Sequence, residues 1–224
     1  YDREGNSLAE GEIHGQNGGY PIAIALSNDA VKLAVSMINI NEGSVKSTIA
    51  FYNYGTVGQN EIDHCVGVNN YDDMVIPEME FTSNDRMVAF GDTKAVIFEG
   101  AQKPQAIAEI PMDEKTKSIF YNEHYIGIVT GNEDEAVTNH LAVYDENGKL
   151  VMEKDFGLDY SSIEFLTNNE ICIRNANVCD IYTVHGVYKF HHEFEEELFE
   201  IIPGKLKLNY TLVLKDTTQR IRLK

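Results

Sequence analysis

No tryptophan occurs in the 224 residues, cysteine occurs three times, and Lys and Arg together number 18 against 36 Asp and Glu. Each shortage closes a class of function. Cys65, Cys172 and Cys179 are too few for a disulfide scaffold, and no Cys-x-x-Cys pair offers a zinc site. A formal net charge of −18 repels nucleic acid and anionic membrane surfaces, so neither is expected as a partner. No apolar run approaches the ~18 residues of a membrane span, and no signal-peptide pattern is present. Gly-x-Ser-x-Gly and His-Glu-x-x-His are missing, so nucleophilic and zinc-peptidase chemistry find no foothold. The stretch Gly15–Gly19 is not followed by the helix a phosphate-cradling loop requires. Helices themselves are wanting: the best candidate, Glu193 to Ile201, is acidic, interrupted by aromatics and uncapped.

What is present is a repeat. Within Tyr121–Phe156, the apolar run Tyr125–Val129 follows a polar turn, and the loop 131–139 leads to Leu141–Tyr144. Asn147-Gly148 then joins this run to Lys149–Glu153, a strong hairpin signal of the type I′ kind. Four strands in about 40 residues make the unit of a propeller blade. Two landmarks recur in phase along the chain. Inner turns stand at Ser27-Asn28-Asp29, Ser83-Asn84-Asp85, Tyr121-Asn122-Glu123, Asn168-Asn169-Glu170 and Pro203-Gly204-Lys205. Outer-turn glycines stand at Gly5, Gly55, Gly100, Gly148 and Gly186. A β-sandwich has short strands but no reason to repeat a four-strand unit in this way. The fold expected is therefore all-β: one propeller-like domain over 1–224, with about five units of four-stranded antiparallel blades. The Trp-Asp signature of the commonest propeller repeats is missing, and the last unit is expected to open with Leu198–Ile202, turn at Pro203-Gly204 into a strand at Lys205–Leu208, and end in Leu212–Lys215 and Arg220–Leu223. Tyr1–Gly5 resembles the mid-unit turn Tyr144–Gly148. The chain is therefore read as the C-terminal part of a longer ectodomain whose ring, in this fragment, need not be complete.

The segments Ser83–Phe90, Tyr144–Lys149 and Phe51–Gly55 resemble a Gram-positive bacterial family of unknown function. Its members carry an N-terminal membrane segment and a propeller-like β ectodomain. The resemblance implies an extracytoplasmic protein on the cell surface, anchored through a segment outside this chain. It brings no catalytic residues with it.

In a propeller, loops between the second and third strands share one face with the blade-to-blade connections. Here those loops hold Asp72, Asp73, Asp113, Glu114, Glu133, Asp134, Glu135 and Asp159, with Glu42 and Glu195–Glu197 beside them. This acidic face is the candidate binding surface, for a cationic protein segment or envelope polymer. Calcium would suit its oxygens, but neither Asp72-Asp73 nor Glu133–Glu135 has the alternating spacing that wraps an ion, so no cofactor is expected. His191-His192-Glu193 is read as a polar outer strand, since alternation sends the two imidazoles to opposite faces. Phe51, Tyr52, Tyr54 and Tyr71 read as packing between blades before they read as a ligand pocket. Cys172 and Cys179 lie on a hairpin turning near Asn175-Ala176 and are expected to face each other. A disulfide and a pair of buried thiols both fit that placement. The function expected is a non-catalytic binding or scaffolding module. The alternative is a carbohydrate-active hydrolase of the cell envelope using paired carboxylates.

Overall fold

The computed structural model describes residues 4–5, 19–41, 43–55, 64–112, 116–131 and 138–223. Among them are nineteen strands and no helix. The strands form five antiparallel meanders, each pairing in sequence order. Blade A holds β1 (Tyr20–Leu26), β2 (Lys32–Asn41), β3 (Ser44–Asn53) and β4 (Cys65–Asp72). Blade B holds β5 (Glu78–Ser83), β6 (Arg86–Phe90), β7 (Lys94–Glu99) and β8 (Gln105–Pro111). Blade C holds β9 (Thr116–Tyr121), β10 (Tyr125–Gly131), β11 (Asn139–Asp145) and β12 (Leu150–Phe156). Blade D holds β13 (Ser162–Phe165), β14 (Ile171–Arg174), β15 (Val178–Tyr182) and β16 (Tyr188–Glu193). Blade E has three strands, β17 (Leu198–Pro203), β18 (Asn209–Leu214) and β19 (Thr218–Arg222). The sheets are those of propeller blades. They gather into two compact units, Tyr1–Glu114 with blades A and B, and Lys115–Lys224 with blades C, D and E.

In blade B the second and third strands are buried on both faces, which is why they read as continuous apolar runs: Met87–Phe90 and Ala95–Phe98 are wholly buried. Each such large apolar side chain contributes about 1.5–3 kcal/mol relative to exposure. In the first unit, blades A and B pack through Phe51, Met79, Phe81, Met87 and Phe98, with the Phe51 and Phe98 ring centroids 5.1 Å apart. In the second unit, Phe120 of blade C meets Phe165 of blade D at 4.5 Å. Gly127 makes that contact possible, because a Cβ there would fall 2.2 Å from the Phe120 ring. Blades D and E share a core of Cys172, Cys179, Ile181, Ile201, Tyr210 and Leu212.

Three local expectations change. The Asn147-Gly148 hairpin forms, but only Gly148 has positive φ (75°). Its N–H donates to the Asp145 carbonyl at 2.9 Å, so the turn spans Asp145–Gly148 with a glycine bulge and is not the two-residue type I′ turn. The Asp145 carboxylate explains the preference: it accepts from the Asn147 and Lys149 N–H groups, both at 2.9 Å. Lys205–Leu208 is a turn and not a strand. Leu208 sits at φ 67°, and the Gly204 N–H reaches across to the Asn209 carbonyl at 2.7 Å. Finally, Cys172 pairs with Ile181 and Cys179 with Arg174, so the two cysteines are diagonal neighbours and do not face each other directly.

Candidate functional site

The antiparallel meander decides which loops share an end of the sheet. In blade A the Asp73 N–H, just past β4, donates to the Val45 carbonyl at the start of β3, 2.8 Å away. In blade B, Met112 N–H meets the Thr93 carbonyl in the β6–β7 turn at 2.9 Å. In blade D, Phe194 N–H meets the Asn177 carbonyl in the β14–β15 turn at 2.7 Å. Within each of these blades the exit segment and the second-to-third loop thus share one end. Of the expected binding residues, Asp72 is exposed and ion-paired with exposed Lys46 at 3.1 Å, a contact worth little in water. Asp73 is exposed at φ 51°, and Asp159 is exposed with its carbonyl accepting from Asn175 Nδ2 at 3.0 Å. Asp113, Glu114, Glu133, Asp134 and Glu135 lie outside the described residues. Among the described residues, no three His, Cys, Asp or Glu side chains converge as metal ligands would.

Polar side chains at the opposite end of the blades are committed to joining neighbours. Buried Lys32 donates to the Asn84 carbonyl (2.8 Å) and pairs with Asp85 (2.7 Å), linking blades A and B. Asn122 donates to the Asn169 side chain at 2.8 Å, linking blades C and D. Between blades D and E, the Glu170 carboxylate accepts from Lys189 Nζ and from the Tyr210 hydroxyl, the latter at 2.5 Å. Burial opposes the Glu170 charge, but hydrogen bonds from Lys189, Tyr210 and Asn168 outweigh it and hold the pKa below the usual value. Burial, then Glu170, push the Tyr210 phenol up. Among the described carboxyls Glu80 moves the other way: desolvation, then the charge of Glu78, raise its pKa.

The aromatic residues of blade A resolve into packing. Phe51 is in the A–B core, Tyr52 packs beside Val35 and Met37 on the other face, and the Tyr54 ring lies tilted against His64 at 4.9 Å. Tyr71 lies under Lys94 Nζ at 5.6 Å, and burial followed by the Glu109 charge pushes its phenol up to about 12. Cys172 and Cys179 are both thiols, buried, with Sγ atoms 3.6 Å apart. That contact first, and burial second, push the Cys172 pKa well above the usual thiol range.

A concave feature that the sequence reading did not anticipate lies in the second unit. A groove of about 520 Å³ runs between β16 and blade E, lined by Phe190, Phe194, Leu212, Leu214, Ile221 and Leu223. His192 stands in it between two rings, 6.0 Å from Phe190 and 4.6 Å from Phe194. His191, on the opposite face as alternation requires, binds Asp180 at 2.7 Å. Glu193, Glu195, Glu196, Gln219 and Arg222 also line it. The groove lies beside the last described strand of blade E: among the described residues, β19 pairs with β18 and with nothing on its outer edge. The sequence reading hid it, because Lys205–Leu208 counted as a strand there and is a turn here.

Solved structures with related chain paths share little sequence. The WD40 domain of Neurospora crassa Pan2 is 6% identical over 89% of this chain and 61% of its own, with a TM-score of 0.47. The β-propeller domain of the Trilobed protease from Pyrococcus furiosus is 11% identical over 91% of this chain and 70% of its own, TM-score 0.48. The AfRom2 CNH domain is 12% identical over 92% and 69%, TM-score 0.47. This chain therefore spans about three-fifths of the Pan2 domain. No curated protein matches it. A family model does match, over residues 1–223, and the chain belongs to the family of unknown function DUF5711.

Proposed function

We propose that this chain is a non-catalytic interaction module that binds a polypeptide segment. The observation that carries the reading is the groove beside β19, lined by both apolar and charged side chains, next to a sheet edge that is unpaired among the described residues. Such a surface suits an extended chain, whose backbone can add to the ladder while its side chains fill the trough. The charged clusters nearby serve as inter-blade links, as Glu170, Lys189 and Tyr210 do. The acidic loops, Asp72, Asp73 and Asp159 among them, supply a second, diffuse attraction for a cationic protein or envelope polymer.

The setting that accompanies this reading is extracytoplasmic, at the surface of a Gram-positive cell, with the parent anchored through a segment outside this chain. Non-reducing mass spectrometry of the protein from its native compartment tests that setting. A Cys172–Cys179 disulfide fits an oxidising compartment, and free thiols count against one.

The functional reading is tested by a thermal-shift screen against peptide arrays, envelope oligosaccharides and divalent cations, at low and high salt, beside a reducing-sugar assay. Peptide binding that persists at high salt supports the module. Sugar release that depends on a carboxylate overturns it in favour of the hydrolase.

A further inference from the structure

We infer that the outer edge of β19 accepts a strand from a separate protein, in which acidic residues alternate with apolar ones. This rests on the interaction-module reading and names its partner's chemistry. The first observation is the incomplete ladder. Blades A to D have four strands and blade E three, so β19 occupies a third-strand position with one edge unpaired among the described residues. Alternate β19 residues must direct their N–H and C=O groups outward. The second is the groove beside β19, where Phe190 and Phe194 of the blade D side and Ile221 and Leu223 of the blade E side offer apolar surface to an added strand.

The third is charge. Residues 205–224 hold six Lys and Arg against one Asp, in a chain whose net charge is −18. Arg220 and Arg222 are exposed, fall on one face of β19 by alternation, and form no ion pair with a described residue. Cross-strand pairing rewards carboxylates opposite them. Three carboxylates, Glu193, Glu195 and Glu196, line the groove against one guanidinium, Arg222, so that side disfavours further carboxylates and leaves room for apolar side chains. The incoming strand is thereby specified on both faces. The same arginines disfavour a second copy: two β19 edges pairing with each other would bring arginine against arginine.

The test is amide hydrogen exchange and calorimetric titration of the full chain. One probe peptide has seven residues of alternating glutamate and valine. A second carries lysine for glutamate, and a third has proline at its centre. The expected result is that the acidic peptide binds and slows exchange at β19. Binding should weaken at least tenfold for the lysine and proline peptides, and for the double variant R220E/R222E, whose melting temperature checks its folding. The inference is overturned by β19 amides already slow in the free monomer, by protection that appears only as the chain self-associates, or by equal binding of the lysine peptide. Array peptides that bind without touching β19 exchange would sink this inference and leave the module reading standing. No binding by any peptide would remove both.

Discussion

Between blades A and B, packing that starts at the inner strands continues to the outer ones. Phe51 and Phe98 are buried in the middle, and β4 then adds Val66 and Tyr71, the latter covered by Lys94 and close to Glu109. Between blades D and E the same construction stops early. Cys172, Ile181 and Leu212 are buried in the middle, but among the described residues no fourth strand of blade E stands opposite β16, where Phe190 is half-buried and His192 exposed. The inner-turn links differ as well: Lys32 meets a half-exposed Asp85, whereas Glu170, Lys189 and Tyr210 form a largely buried trio. Among the described residues, one strand fewer therefore separates the A–B seam, covered to its outer strands, from the D–E seam, where the proposal places a partner.

Removing an aromatic from each seam should separate the two most sharply. Phe98→Ala should cost about 3–5 kcal/mol by chemical denaturation, the range for fully buried aromatics. Phe190→Ala should cost about 1 kcal/mol while weakening peptide binding. Equal losses would mean that the D–E seam is covered.

The links come next. Glu170→Ala should cost about 3 kcal/mol, since it leaves Lys189 in a largely buried site without its carboxylate. Its pH dependence follows from the lowered pKa. The Glu170 contribution is present above the unfolded value of 4.5 and is lost as pH falls through the lower folded value. Acid should therefore weaken the wild type more than Glu170→Gln in thermal melts between pH 3 and pH 6. Lys32→Met should cost about 1 kcal/mol, because Asp85 is half-exposed and can be hydrated.

Two smaller effects have the opposite sign. Ala30 closes the first inner turn at φ 58°, a conformation glycine adopts without strain, so Ala30→Gly should stabilise by about 0.5 kcal/mol. Glu80 has a raised folded pKa, so its proton-bound form is the favoured one. Its contribution is favourable below the unfolded value and lost as pH rises through the folded value. Glu80→Gln should accordingly raise the melting temperature slightly at pH 7, within about 0.5 kcal/mol, and have no effect near pH 3.

Much of the fold was legible because blade strands announce themselves locally. Met87–Phe90 and Ala95–Phe98 are continuous apolar runs, and Ser83–Asp85 marks the turn between β5 and β6. Turn chemistry was legible less fully. Asn147-Gly148 located a hairpin, but its conformation depends on the Asp145 carboxylate capping two N–H groups, a competing local bond the dipeptide does not reveal. Lys205–Leu208 alternates like a strand, yet Leu208 turns left-handed because Asn209 N–H closes back onto the Leu206 carbonyl at 3.2 Å. The cysteines were placed on the right hairpin but opposite each other, and a two-residue difference in register makes them diagonal. The groove was not legible. Phe190, Leu212 and Ile221 belong to different strands, and only the packing of blade D against blade E brings them to one trough.

The open edge of β19 is tested most directly by residue-resolved amide exchange on the free chain, with β7 as the internal reference. β7 is paired on both sides, with β6 and β8, so all its amides should exchange slowly. In β19, alternate amides should exchange orders of magnitude faster than those bonded to β18. Uniformly slow exchange along Thr218–Arg222 in the monomer would contradict this, because it would mean that blade E already has its fourth strand.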